Sequence, residues 1–154
     1  MTKPANDKVF EASIYYDGSH LPYKYIDPST PCLVSEIVTF THEFRCYCLD
    51  GEVKDCSIYK FPGMIYQPDH IMKHDAIDFA NVVLKDDTCL LPSGVVLDVG
   101  LMETGEWAVI EANQAYASGI YHEVSVRNIV SVIIRSACLT VSNNDFQFLR
   151  RIQT

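Results

Sequence analysis

Apolar residues at alternate positions, separated by clusters of Gly, Pro, Asn and Asp, predict that most of this chain forms β-strands. The pattern predicts four strands in the first part of the chain, at residues 9–16, 32–40, 43–49 and 53–61. Asp50-Gly51 stands between the last two and predicts a tight hairpin there.

Two later segments carry the helical pattern instead. Residues 68–86 place apolar side chains three or four positions apart, and residues 124–141 do so around Arg127 and Arg135. We expect the second helix to be amphipathic and to pack on a sheet. Strands followed by helices predict an α+β sandwich, and the segment 62–68 is the best candidate for a boundary between two small lobes, 1–61 and 62–154.

A second hairpin is predicted at residues 95–113 and carries candidate chemistry. Its strands bring an Asp, a Glu and an Asn toward one place, as Asp98, Glu111 and Asn113. Carboxylate and amide oxygens are the ligands that Mg²⁺ prefers, so a magnesium site holding nucleotide phosphates is one interpretation. A solvated sheet face is the other, and the pattern alone does not decide between them.

The expected register of this hairpin follows from its turn. With residues 102–105 as the loop and Gly105 at positive φ, Leu101 pairs with Glu106. Asp98 and Glu111 are then diagonal neighbours roughly 7–8 Å apart, and Trp107 shares their side of the sheet, while the opposite side is core.

Composition narrows the possible partners. The 154 residues carry a net charge of −8, with a pI near 4.9 and 48% apolar residues. An acidic chain without clustered Lys or Arg is not expected to bind nucleic acid or an anionic membrane. No signal peptide and no apolar run of about 18 residues is present, so we expect a cytoplasmic protein, in which the six cysteines are free thiols.

The triad spacing resembles the metal site of a known superfamily. Asp98, Glu111 thirteen residues later and Asn113 two further resemble the metal-ligand triad of the ATP-grasp superfamily, with the small-residue stretch 117–121 after it. Two more motifs match in the same order, namely Ser35-Glu36-Ile37-Val38 with Glu43, which resembles the hinge strand, and Lys3-Pro4, which resembles the lysine-proline segment of the nucleotide-binding lobe.

The resemblance implies the binding of ATP and Mg²⁺ in a cleft between a hinge-strand lobe, 1–61, and a metal-site lobe, 62–154. Backbone groups of Glu36, Ile37 and Val38 would meet adenine, and Glu43 would accept the ribose hydroxyls. The cations that could steady the phosphates are Lys3, Lys8, Arg45 and Lys60. For Arg45 an equal alternative is that it neutralises Glu43 across the sheet.

The implied activity is that of an ATP-dependent ligase, in which ATP phosphorylates a carboxylate and an amine displaces the phosphate. Lys3, Arg45 and Lys60 would be the residues acting on the phosphates.

Two departures from the pattern matter. Val96 stands where many ATP-grasp enzymes have an arginine. The loss of this arginine resembles the clade of the superfamily in which a lysine replaces it. The second departure is that the sequence begins at the lysine-proline segment, which another domain usually precedes. We therefore expect that this domain is supplied by a further part of the protein or by a partner chain, or that the chain forms a homodimer. A non-catalytic nucleotide-binding module is therefore the alternative to a ligase.

Overall fold

The structure is a computed structural model that describes residues 1–5, 9–22, 26–63 and 70–138. The chain forms two compact units, Met1–Thr39 and Phe40–Thr154. Residues 61 and 62, between which we predicted a boundary between two lobes, both belong to the larger unit, and that boundary stays a prediction. Both units contain antiparallel sheet, and two helices follow in the larger one, so the α+β fold class is confirmed.

The smaller unit contains a two-stranded sheet formed by β1 (Thr2–Pro4) and β2 (Cys32–Val34). The predicted strand at residues 9–16 is wrong, because only Ser13 forms a bridge, with Thr2. The strand predicted at residues 32–40 ends at Val34, and the chain from there to Thr39 is irregular and exposed. The alternating apolar residues from Cys32 onward do not form a long strand, because only Cys32, Leu33 and Val34 pair with another strand.

The larger unit is built on a four-stranded sheet with the order β4-β3-β5-β6. Its elements are β3 (Phe40–Leu49), β4 (Glu52–Lys60), α1 (His70–Leu84), β5 (Gly94–Met102), β6 (Trp107–Asn113) and α2 (Val126–Ala137). Asp50 and Gly51 take positive φ at the β3–β4 turn, which confirms the hairpin predicted from these two residues. The predicted helix start at residue 68 and the tail from residue 139 lie outside the described residues.

Helices cover both faces of this sheet. One face packs on α1 through a cluster of small and apolar side chains, which includes three cysteines: Phe44, Cys46, Cys48, Cys56, Ala76, Ala80, Val95, Leu97 and Val99. The other face packs on α2 through Tyr47, Val96, Ala115, Ile129 and Val132. The expectation that only one side of β5 is core is wrong, since Val96 and Asp98 are as buried as Leu97. All six cysteines are free thiols, as predicted.

The β5–β6 hairpin differs in register from the prediction. Met102 pairs with Glu106 through a backbone hydrogen bond of 2.9 Å, so the loop has three residues, with Gly105 at positive φ. A β-bulge then inserts Ile110 between the pairs on either side of it. The shorter loop turns Trp107 to the other face, where its ring packs with Phe44 and Phe79. Together the two changes shift the partner of Asp98 by two residues, from Val109 to Glu111.

Gly94 allows β5 to approach α2 closely. A Cβ atom at this position would lie 2.6 Å from the backbone nitrogen of Ser136 and 2.9 Å from the backbone carbon of Arg135. Both atoms belong to helix backbone and cannot move aside like a flexible side chain. The strand begins with glycine because no larger residue fits under the helix.

Gly94→Ala should therefore destabilise the protein by about 1–3 kcal/mol, because one extra methyl group must push α2 away from the sheet. Urea denaturation monitored by circular dichroism measures the change. Gly119→Ala is the control, since a Cβ there makes only ordinary contacts, the nearest at 3.6 Å. Equal stabilities of the two variants would contradict this account of the helix–sheet contact.

Candidate functional site

The structure brings Asp98, Glu111 and Asn113 together on one side of the large sheet. Asp98 and Glu111 are directly opposite each other on β5 and β6, and Asn113 follows on the same side, opposite Val96. The Asn113 amide nitrogen donates a hydrogen bond of 2.9 Å to Glu111 Oε1. The predicted convergence is therefore observed, with closer pairing than the diagonal arrangement that the sequence suggested.

The two carboxyl groups differ sharply in environment. Asp98 is 1% exposed, whereas Glu111 lies on the edge strand and is exposed. Burial raises the pKa of Asp98, and the negative charge of Glu111 adds to the increase, while Arg45 opposes it. A cation beside these groups would stabilise both in their charged forms.

Arg45 binds Asp98 from β3, the other neighbour of β5 in the sheet. Its Nε donates to Asp98 Oδ1 at 2.9 Å and its Nη2 to Oδ2 at 2.7 Å, which is the two-pronged geometry that makes arginine–carboxylate pairs strong. The hydrogen bonds to Asp98 raise the pKa of Arg45, so the guanidinium stays charged although it is only 8% exposed. The pair lies on the row Ser57, Arg45, Asp98 and Glu111, one residue from each strand.

The same guanidinium also holds the segment that follows β6. Arg45 Nη1 donates to the Gly119 carbonyl at 3.1 Å, and the Tyr47 hydroxyl donates to that carbonyl at 2.9 Å. The rings of Tyr59 and Tyr121 stack with centroids 5.2 Å apart and lie 5.6 and 5.1 Å from the Arg45 guanidinium carbon. Arg45 therefore links β3, β5 and the chain beyond β6 through charge, hydrogen bonds and aromatic contact.

Three further contacts, and an ion pair between two of the residues that make them, fix the rest of this segment. The Ser57 hydroxyl donates to the His122 carbonyl at 2.6 Å, and the Asp55 carboxylate accepts from the Ser125 backbone nitrogen at 2.7 Å, immediately before α2. Lys73 of α1 lies 3.6 Å from Asp55 and donates to the Glu123 carbonyl at 3.3 Å. The chain between Asn113 and α2 is thus bound to the strands and to α1 at several points.

Glu43 has a different cation from the one predicted. It forms an ion pair with Lys60, its neighbour across the β3–β4 pairing, and the Lys60 side chain is 57% exposed. The alternative that Arg45 neutralises Glu43 is wrong, because Arg45 is engaged with Asp98. Lys60 is the more exposed cation on this face, whereas Arg45 is buried and bound to Asp98.

The remaining predicted nucleotide contacts belong to the smaller unit. Lys3 lies in β1 opposite Leu33, and Glu36, Ile37 and Val38 lie in the exposed irregular stretch after β2 rather than in a hinge strand. Lys8 is outside the described residues. The roles of these residues in nucleotide binding stay predictions.

Val96 explains why the cation beside Asp98 comes from another strand. Its side chain is fully buried against Tyr47 and the α2 residues Ile129 and Val132. A charged residue at position 96 would be enclosed by apolar side chains. Sequence reasoning missed Arg45 as the partner of Asp98 because nothing in the sequence shows that β3 pairs with β5.

No ready-made cluster of three His, Cys, Asp or Glu side chains suitable for a metal occurs within the described ranges. The candidate site has two carboxylates and an amide, so it is not a cluster of that kind. None of the described helices is long and apolar enough to cross a membrane.

Comparison with known proteins supports the resemblance seen in the sequence. A family model that describes an ATP-grasp domain of the arginine-to-lysine clade, family 2, matches residues 2–130, which includes both units up to the first turn of α2. No curated protein and no solved structure matches the chain. Because the match covers most of the chain and contains all three candidate metal residues, the chain belongs to family 2 of the arginine-to-lysine clade of ATP-grasp domains.

Proposed function

We propose that this domain binds ATP together with Mg²⁺ and serves an ATP-dependent carboxylate–amine ligase that acts through an acyl-phosphate. Family membership supports ATP binding and a ligase-type function. The observation that carries the finer proposal is the direct opposition of Asp98 and Glu111, with Asn113 on the same side of the sheet.

The donor atoms of this group fit magnesium in their chemistry. Two carboxylates and an amide oxygen are hard donors, and each carboxylate oxygen offers two lone pairs. Asp98 can therefore accept hydrogen bonds from Arg45 and still have lone pairs for a metal. Arg45 cancels the negative charge of Asp98 and holds its carboxylate in place, so Asp98 would be the more rigid ligand. Glu111 and Asn113 are less buried and would be the more accessible ligands.

Cations for the phosphates would come from lysines. Lys60 is largely exposed on the same face as Asp98, two strands away, and is the cation of the larger unit that we assign to phosphate binding. Lys3 and Lys8 would contribute from the smaller unit. Arg45 is a positioning residue in this proposal, because its guanidinium already binds Asp98, Gly119 and two aromatic rings.

The contribution of the protein to the reaction would be orientation and charge neutralisation rather than acid–base chemistry. Mg²⁺, when bound, would neutralise the charge that develops on the terminal phosphates. Glu43 would accept the ribose hydroxyls, and backbone groups at Glu36, Ile37 and Val38 would meet adenine.

Glu111→Ala should abolish Mg²⁺-dependent ATP binding, because it removes the exposed carboxylate of the triad. Calorimetry with ATP, in MgCl₂ and again in EDTA, measures the effect. Glu103→Ala is the matched control, since it removes an equally exposed carboxylate from the loop of the same hairpin. Unchanged affinity in Glu111→Ala, or an equal loss in Glu103→Ala, would contradict the assignment of the metal ligands.

Phosphate release separates the ligase from a non-catalytic nucleotide-binding module. The unaltered protein is incubated with ATP, Mg²⁺ and mixtures of carboxylic acids and amines, and released phosphate is measured. Release that needs both an acid and an amine supports the ligase. ATP binding without release under any mixture supports the module.

Arg45→Met should lower the free energy of unfolding by about 3–5 kcal/mol, because the Asp98 carboxylate is then left buried without its cation. The double variant Arg45→Met/Asp98→Leu should recover part of this loss. Lys60→Met is the comparison, since it breaks an ion pair whose lysine is exposed, and we expect about 1 kcal/mol or less. Chemical denaturation of the four proteins would contradict the role given to Arg45 if the Lys60 variant lost as much stability.

A further inference from the structure

A pocket of about 210 Å³ lies where β6 ends at the edge of the large sheet. β6 stops at Asn113, opposite Val96, whereas β5 begins two residues earlier, at Gly94. The end of β5 therefore extends past its neighbour and leaves room beside it. The walls are formed by Leu91, Pro92, Val95 and Ala112, with Asn113 and Gln114 at the rim.

The lining determines what the pocket can accept. None of its described lining residues carries a charge, so a charged group inside would lose part of its hydration without gaining an ionic partner. A cavity of about 150 Å³ is large enough for benzene, so this one can hold a branched aliphatic or benzyl group. The chemistry and the size both favour an apolar side chain of a small molecule.

The pocket adjoins the proposed metal site through Asn113. This residue borders the pocket and also donates its hydrogen bond to Glu111. A molecule with its apolar part in the pocket would therefore have at the pocket's border one residue of the proposed metal site, Asn113, which is hydrogen-bonded to another, Glu111. ATP does not fit the pocket itself, because its phosphates need positive charge that these walls do not supply.

We propose that this pocket binds the side chain of a small substrate, an α-amino acid with an aliphatic or aromatic side chain, for the reaction catalysed at the adjoining site. The inference rests on the proposed function and adds the substrate class. An amino acid with a short or charged side chain would bind more weakly, because it would leave apolar wall exposed to water or bring a charge into an uncharged pocket.

Leucine and aspartate provide a matched pair of probes, since they share a backbone and have side chains of similar length. Saturation-transfer NMR of the full chain, without nucleotide, should show saturation of the leucine methyl groups and none of aspartate. Ala112→Phe should weaken leucine binding by about tenfold or more, because the new ring occupies the pocket. Val109→Phe adds the same ring to the same edge strand outside the pocket and should leave leucine affinity within about twofold.

Gln114→Phe is a second blocking variant at an exposed position of the rim, and it replaces Ala112→Phe if that protein does not fold. Absence of leucine saturation in the unaltered protein, equal saturation of aspartate, or leucine binding unchanged by both blocking variants would overturn the proposal. ATP and Mg²⁺ binding, measured without leucine, tests the proposed function separately. If the pocket proposal is wrong, the leucine measurements fail, and if the proposed function is wrong, ATP and Mg²⁺ do not bind. The two failures are therefore distinguishable.

Discussion

The buried ion pair between Arg45 and Asp98 is the interaction on which the arrangement of the larger unit depends. Two charges removed from water are stable only while each satisfies the other, and here both carboxylate oxygens receive hydrogen bonds from one guanidinium. This requirement fixes the register of β3 against β5, since a slip by one residue would turn Arg45 to the opposite face. The same guanidinium reaches Gly119 and thereby orders the chain beyond the sheet.

The pair also gives the two candidate carboxylate ligands different properties. Asp98 is rigid and neutralised, whereas Glu111 lies on the edge strand within reach of solvent. Because Arg45 cancels the charge of Asp98, the repulsion between the two carboxylates is small before any cation binds. Such a site can keep its geometry without metal, because no bound cation is needed to offset the repulsion between the two carboxylates.

Sequence reasoning located the central strands and both helices because each has a strong local pattern. β4 lies within one residue of its predicted range, β3 begins three residues before its predicted start and ends where predicted, and α1 ends two residues before its predicted end. The spacing of Asp98, Glu111 and Asn113 also pointed to the family, since residue type and distance along the chain are visible without a structure. These features depend on local periodicity and on neighbours within one hairpin.

The features that the sequence did not predict depend on pairing between distant segments. The three-residue loop turned Trp107 toward α1, the bulge at Ile110 brought Glu111 opposite Asp98, and the pairing of β3 with β5 gave Asp98 its arginine. Val96 stands where the family pattern predicted a cation, and its burial under α2 shows that this position belongs to the core. In the smaller unit, periodic apolar residues outnumbered the positions that have a strand to pair with, so one predicted strand is absent and another was too long.

The segment between β6 and α2 is bound through its main chain, since the acceptors at residues 119 and 122 are peptide carbonyl oxygens. Any amino acid with the same backbone conformation offers the same oxygen atom. Apart from Tyr121, whose ring contacts Tyr59 and Arg45, residues along this stretch can therefore be exchanged while the atoms that Arg45, Tyr47 and Ser57 recognise persist. In divergent members of the family, the donors on the strands are therefore a better sign of this anchoring than the identity of the residues that carry the acceptors.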